Sequence, residues 1–154
     1  MSVNRPFKLL FLSGPNLQLL GRREPSLYGH ETLADLYQRA TERARLRGAE
    51  LDARQSNSEG TLVDWIGGAI DTFDGLLINP GAYTHTSIAI HDAIAAVGVP
   101  TIEVHLSNVH ARESFRRHSV VAPACLGSII GLRGNGYVLA VDAMVDHLGG
   151  APKT

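Results

Sequence analysis

Residues 75–79, Gly-Leu-Leu-Ile-Asn, run apolar until their last position and are bounded by Asp74-Gly75 before and Asn79-Pro80-Gly81 after. A strand with no polar face must be covered on both sides, as a central strand of a parallel sheet is. Residues 7–12, Phe-Lys-Leu-Leu-Phe-Leu, enter Ser13-Gly14-Pro15 in a similar way. Residues 49–55 alternate apolar and polar and read as an edge-like second strand, followed by loop and cap chemistry at 56–60. Residues 100–105 and 127–132 supply two more strands. Between the strands lie helical patterns. The first places Leu33, Leu36, Tyr37, Ala40, Ala44 and Leu46 on one face, leaves residues 41, 42, 43 and 45 to solvent, and stops at Gly48. The others cover 62–73, 86–97 (stopped by Gly98) and 137–148. Strand and helix alternating in this way call for an α/β sandwich, and at this length for a flavodoxin-like five-stranded parallel sheet of order 2-1-3-4-5. Residues 1–154 are expected to form a single domain without repeats or linkers, with 149–154 as a frayed tail.

Composition narrows the function classes. Formal net charge is −1 and charged residues make up 19% of the chain, so no basic surface for nucleic acid is expected. No apolar run has the length of a membrane span, and residues 1–6 open a strand and lack the pattern of a signal peptide. Cys125 is the only cysteine, which removes intrachain disulfides, suggests a reducing, cytoplasmic setting, and reads as a small buried hydrophobe. The only lysines, Lys8 in the first strand and Lys153 in the tail, are not placed to form an imine with a carbonyl substrate.

In a parallel sheet the ends of strands 1, 3 and 4 lie side by side, so Asn16, Asn79, His85 and His105 converge although they are distant in sequence. The loop after strand 1 is long and polar, with Arg22, Arg23 and Tyr28 between Leu20 and Gly29, and has the character of a lid. Glu103 and His105, two apart on a strand, share a face, and the carboxylate would fix the imidazole's tautomer and favour its protonated form, as a general acid requires. Backbone N–H groups at Leu106 and Ser107 with Arg112 or Arg116, one helical turn apart, would clamp a carboxylate. No His-x-x-x-His or Cys-x-x-Cys spacing supports a metal site, and no Gly-x-Gly-x-x-Gly or P-loop follows a strand. A flavin-binding electron carrier and a non-catalytic scaffold domain remain as other readings of such a sheet.

Five segments together carry a resemblance: Gly14-Pro-Asn-Leu17, Leu20-Gly-Arg-Arg-Glu-Pro-x-x-Tyr28-Gly29, Gln55-Ser-Asn-Ser-Glu59, Asn79-Pro-Gly-Ala-Tyr-Thr-His85-Thr-Ser87 and Ile102-Glu-Val-His-Leu-Ser-Asn108. In order and spacing, over roughly residues 7–148, the chain closely resembles the type II 3-dehydroquinate dehydratases. The resemblance implies trans elimination of water from 3-dehydroquinate through an enolate, with no cofactor and no metal, in a homododecamer built as a tetramer of trimers. By motif it implies Tyr28 as the base at C2, Arg23 favouring the tyrosinate, and Asn16 holding a water at the enolate oxygen. It makes His105 the acid at the departing C1 hydroxyl, backed by Glu103. Asn79, His85, Leu106, Ser107 and Arg116 would bind substrate, Arg112 would shape the lid region, and Asp92 would enter a neighbour's site across the trimer interface. Ser13 and Leu106 depart from the Asn and Ile that the resemblance leads one to expect.

Overall fold

In the computed structural model, residues 5–22, 26 and 30–149 are described; Arg23, Tyr28 and the tail lie outside them. Five strands form one parallel sheet: β1 (Phe7–Ser13), β2 (Ala49–Gln55), β3 (Gly75–Asn79), β4 (Thr101–His105) and β5 (Gly127–Ile130), in the order β2-β1-β3-β4-β5. Four α-helices are found among the described residues: α1 (Leu33–Leu46), α2 (Glu59–Gly67), α3 (Ile88–Val97) and α4 (Asn135–Leu148). The expected sheet order is the one observed, with the fully buried β3 at its centre.

The two-residue period of the strands sorts the core into two layers. Leu9 and Phe11 of β1, Leu77 of β3 and Val104 of β4 pack under α1 and α4, against Leu36, Ala40, Val141 and Met144. Leu10, Leu12, Leu76 and Ile78 pack under α2 and α3, against Leu62, Ile66, Ile90 and Ile94. Each of these buried side chains except Ala40 contributes on the order of 1.5–3 kcal/mol. Arg43 faces solvent as expected and from there makes a two-point ion pair with Asp142 of α4 at 2.8 and 2.9 Å.

Several boundaries differ from those expected, each for a local reason. Ser58 accepts a hydrogen bond from the Thr61 N–H, so α2 starts at Glu59 rather than 62, and it stops at the Gly67-Gly68 pair rather than running to 73. Ser87 caps α3 in the same way, and residues 81–85, just upstream, form a 3₁₀ turn. Leu46, assigned to the buried face of α1, is 64% exposed because the 3.6-residue period puts it on the side of the helix opposite the buried Leu33, Leu36, Ala40 and Ala44. The segment after β4 is not an α-helix: it makes two separate 3₁₀ turns, Val109–Ala111 and Ser114–Arg116, with Arg112 extended between them. Arg112 and Arg116 therefore do not share a helix face. Cys125 is half-buried beside the α2/α3 layer, its thiol pushed up to about 12 by burial and by the charge of Glu103, which makes it a poor nucleophile.

The turns that follow β1 and β3 touch. The Gly14 N–H donates to the Asn79 carbonyl at 2.8 Å, and a methyl group at Gly14 would lie 2.5 Å from the Pro80 carbonyl oxygen. Since backbone, unlike a flexible side-chain end, cannot step aside, Gly14→Ala should destabilise the protein by about 1–3 kcal/mol. Its denaturant midpoint is expected to fall measurably below that of the wild type.

Candidate active site

A cavity of about 170 Å³ opens at the carboxyl ends of β1, β3 and β4. Asn16, Asn79, His85, His105, Leu106, Ser107, Arg112 and Arg116 line it together with Pro15, Leu17 and Leu20. The expected convergence is thus observed. Glu103 lies behind His105 and does not line it, and Asp92 is exposed on α3, away from this cavity of its own chain.

Asn16 follows Pro15 with φ 69°, a left-handed conformation that Asn tolerates better than most residues. Its N–H donates to Asn57 Oδ1 at 2.9 Å, and its side-chain amide makes no hydrogen bond among the described residues. The segment 55–59 braces this turn: Gln55 Nε2 lies 3.1 Å from the Gly14 carbonyl and 3.1 Å from Asn57 Oδ1, while Tyr83 Oη donates to the Asn57 carbonyl at 2.6 Å.

On the other side of the cavity, His105 Nε2 is 2.5 Å from Glu103 Oε2. The carboxylate can only accept, so Nε2 carries a proton and the other ring nitrogen has no partner among the described residues. Glu103 is buried, and burial alone would raise its pKa. The His105 bond and charge, with donors from Thr84 and Ser119, outweigh that and hold it below the usual carboxylate range. Thr84 Oγ1 donates to Glu103 Oε2, and Ser119 Oγ lies 3.1 Å from both carboxylate oxygens while accepting from the N–H groups of Val121 and Ala122. Sequence reasoning missed Thr84 and Ser119. Thr84 sat inside a quoted motif, but Ser119 lies in irregular chain and gave no signal.

His85 Nδ1 is 2.8 Å from the His118 carbonyl, which can only accept, so Nδ1 holds the proton and Nε2 is left for a ligand. The N–H groups of Leu106 and Ser107 have no acceptor among the described residues, although both residues are buried. Adjacent unpaired amides in a cavity wall make an anion cradle. Arg112 Nη1 donates to Ser107 Oγ at 3.2 Å, and Arg116 pairs with Glu113 at 2.5 Å while lying over the Phe115 ring. The cavity therefore offers cations and amide donors for a carboxylate, amides for hydroxyls, and one imidazole backed by an ionised carboxylate.

The chain as a whole is similar to known proteins. The family model described as dehydroquinase class II matches residues 7–145. The 3-dehydroquinate dehydratase of Jannaschia sp. (strain CCS1) is 54% identical over 147 residues, covering 94% of this chain and 99% of that one. That of Variovorax paradoxus (strain S110) is 54% identical over 143 residues, covering 90% and 98%. The crystal structure of type II dehydroquinase from Butyrivibrio crossotus DSM 2876 superposes with a TM-score of 0.88 at 45% identity, covering 90% of this chain and 97% of that chain. With the family model matching most of the chain, identity above half to near-full-length relatives, and a close superposition on a solved type II dehydroquinase, the chain belongs to the class II dehydroquinase family.

Proposed function

We propose that this chain, a hydro-lyase of that family acting on 3-dehydroquinate, forms 3-dehydroshikimate by trans elimination through an enolate, in the shikimate route to aromatic amino acids or in quinate breakdown. It works as one dehydroquinase domain in the cytoplasm, without metal or organic cofactor. The observation that carries this reading is the donor-rich cavity at three strand ends, with His105 braced by Glu103 at its wall.

Tyr28, as tyrosinate, takes the proton at C2, and the C–H electron pair moves into an enolate whose oxygen sits at the former ketone. Arg23 favours the tyrosinate, since an ordinary Tyr titrates near ~10 and needs a neighbouring cation to ionise near neutrality. Asn16, whose amide makes no hydrogen bond among the described residues, holds a water against the enolate oxygen. As the enolate collapses, C1=C2 forms, the C1–O bond breaks, and His105 delivers a proton so that the hydroxyl leaves as water. Glu103 holds the imidazole in place through its contact with Nε2. The Leu106 and Ser107 amides, Asn79, His85 and Arg116 bind the carboxylate and hydroxyls, and Arg112 anchors Ser107 beside the lid region. Asp92, exposed on its own chain, completes the site of a neighbour in a trimer, four of which make a dodecamer. The test of the reaction is growth of the conjugated enone's ultraviolet absorbance when purified protein meets 3-dehydroquinate; folded protein giving none would overturn it.

Tyr28→Phe is expected to bind a substrate analogue nearly as well as wild type and to lose almost all turnover, because only the proton acceptor is gone. Arg23→Ala should move the acidic limb of the pH profile upward, because the base must ionise before it can act. Substantial turnover by Tyr28→Phe would assign the C2 proton to another group.

His105→Ala should lose ~10²–10⁴-fold in kcat, and Glu103→Gln less. Because the Glu103 carboxyl is held below its ordinary value, its network stabilises the fold above the ordinary carboxylate range, and that contribution disappears as pH falls through the lowered value. The stability gap between wild type and Glu103→Gln should therefore be widest near neutrality and narrow below about pH 4. Denaturant titrations across pH 3–7, an interval chosen to span the model-peptide carboxylate values, check this.

A site completed by Asp92 of a neighbour ties activity to assembly, so light scattering should find a multiple of three chains. A fully active monomer would refute the shared site.

A further inference from the structure

Tyr137 belongs to none of the five motifs and does not line the cavity, yet it heads the fully buried side chains by volume. It stands in α4, with its ring stacked on Phe11 at a centroid distance of 4.4 Å. Its hydroxyl reaches the carboxyl ends of two neighbouring strands. Ser13 of β1 and Asn79 of β3 are register partners and both face the α1/α4 layer, where Asn79 Nδ2 donates to Tyr137 Oη at 3.0 Å and Ser13 Oγ lies 3.0 Å from the same oxygen. Ser13 Oγ in turn lies 2.6 Å from Tyr37 Oη of α1, and Tyr37 Oη donates to the Arg54 carbonyl at 2.8 Å. Burial pushes the Tyr137 phenol up to about 12 against the bonds of Ser13 and Asn79, so it stays protonated.

Asn79 is held at both ends of its amide. The Gly81 N–H donates to Oδ1 at 3.1 Å, and turning the amide over would face that N–H with an NH₂ group. One Nδ2 hydrogen and one Oδ1 lone pair are thereby left for a ligand, in one fixed orientation. We propose that Tyr137 is a positioning residue for substrate recognition: its hydroxyl, anchored through Ser13 to α1, locks the Asn79 amide in the orientation that receives substrate. The inference rests on the reading of Asn79 as a substrate contact.

Steady-state kinetics of Tyr137→Phe, Asn79→Ala and the double variant with 3-dehydroquinate test it. Tyr137→Phe keeps the ring and its stacking, and should raise KM about five- to twenty-fold, the size of one lost oriented hydrogen bond, with kcat within about threefold of wild type. In the Asn79→Ala background the same substitution should change KM no further, since the group it orients is absent. Ser13→Ala, which removes the anchor and leaves the Tyr137 hydroxyl, should raise KM by a smaller factor and decides the matter if Tyr137→Phe does not fold. A wild-type KM for Tyr137→Phe, or an undiminished effect on top of Asn79→Ala, would overturn the positioning role. A wild-type KM for Asn79→Ala alone would instead overturn the substrate contact on which the inference rests.

Discussion

The site depends on one backbone contact, the 2.8 Å hydrogen bond from the Gly14 N–H to the Asn79 carbonyl. Two adjacent parallel strands end at the same level, as the register Ser13 to Asn79 records, and their turns must leave the sheet without colliding. Only a residue without a side chain fits at position 14, and Gly81, at φ 58°, turns the second strand away against Pro15. The space so opened is the cavity. Asn16 and Asn79 reach it because their strands stop there.

Polar groups buried beside such a gap are costly unless paired, and the two faces of the sheet provide the partners separately. Alternation along β4 sends Glu103 and His105 to the α2/α3 side, where Thr84 and Ser119 meet the carboxylate. Alternation along β1 and β3 sends Ser13 and Asn79 to the opposite side, where tyrosines of α1 and α4 meet them. The imidazole and the amide are thus held by independent networks rooted in different cores. No side-chain nitrogen or oxygen that is itself shut off from solvent among the described residues lacks a hydrogen bond.

This division also explains what could be read without coordinates. Sheet order and the convergence of Asn16, Asn79, His85 and His105 follow from apolar runs that end in Gly-Pro or Asn-Pro, because strand ends are local signals and parallel topology brings them together. The Glu103–His105 pair follows from spacing alone. Ser119 and Tyr137 could not be read in this way: one lies in irregular chain 16 residues from its carboxylate, and the other occupies an ordinary core position of a helix. The shared helical face assigned to Arg112 and Arg116 failed because 3₁₀ turns replace a helix wherever the chain must keep changing direction. Both arginines nevertheless reach the cavity, by a path that periodicity does not encode.

The amides of Leu106 and Ser107, without an acceptor among the described residues, owe their direction to residues far along the chain. In a trans peptide the C=O and the following N–H point opposite ways. The His105 carbonyl accepts from the Gly131 N–H at 3.1 Å, and the Leu106 carbonyl accepts from the Arg133 N–H at 2.9 Å. With both carbonyls pinned to the turn after β5, the N–H groups of Leu106 and Ser107 must turn to the other side, toward the cavity that both residues line. That turn is itself unusual: Gly131 has φ 87° and Arg133 φ 52°, the latter a left-handed conformation that costs a residue with a side chain on the order of 1 kcal/mol. Gly131 also packs so closely on Asn108 that a methyl group would lie 3.2 Å from its Cβ. The anion cradle at the end of β4 is therefore set by strained backbone more than twenty residues downstream, and its donors are aimed before any ligand arrives.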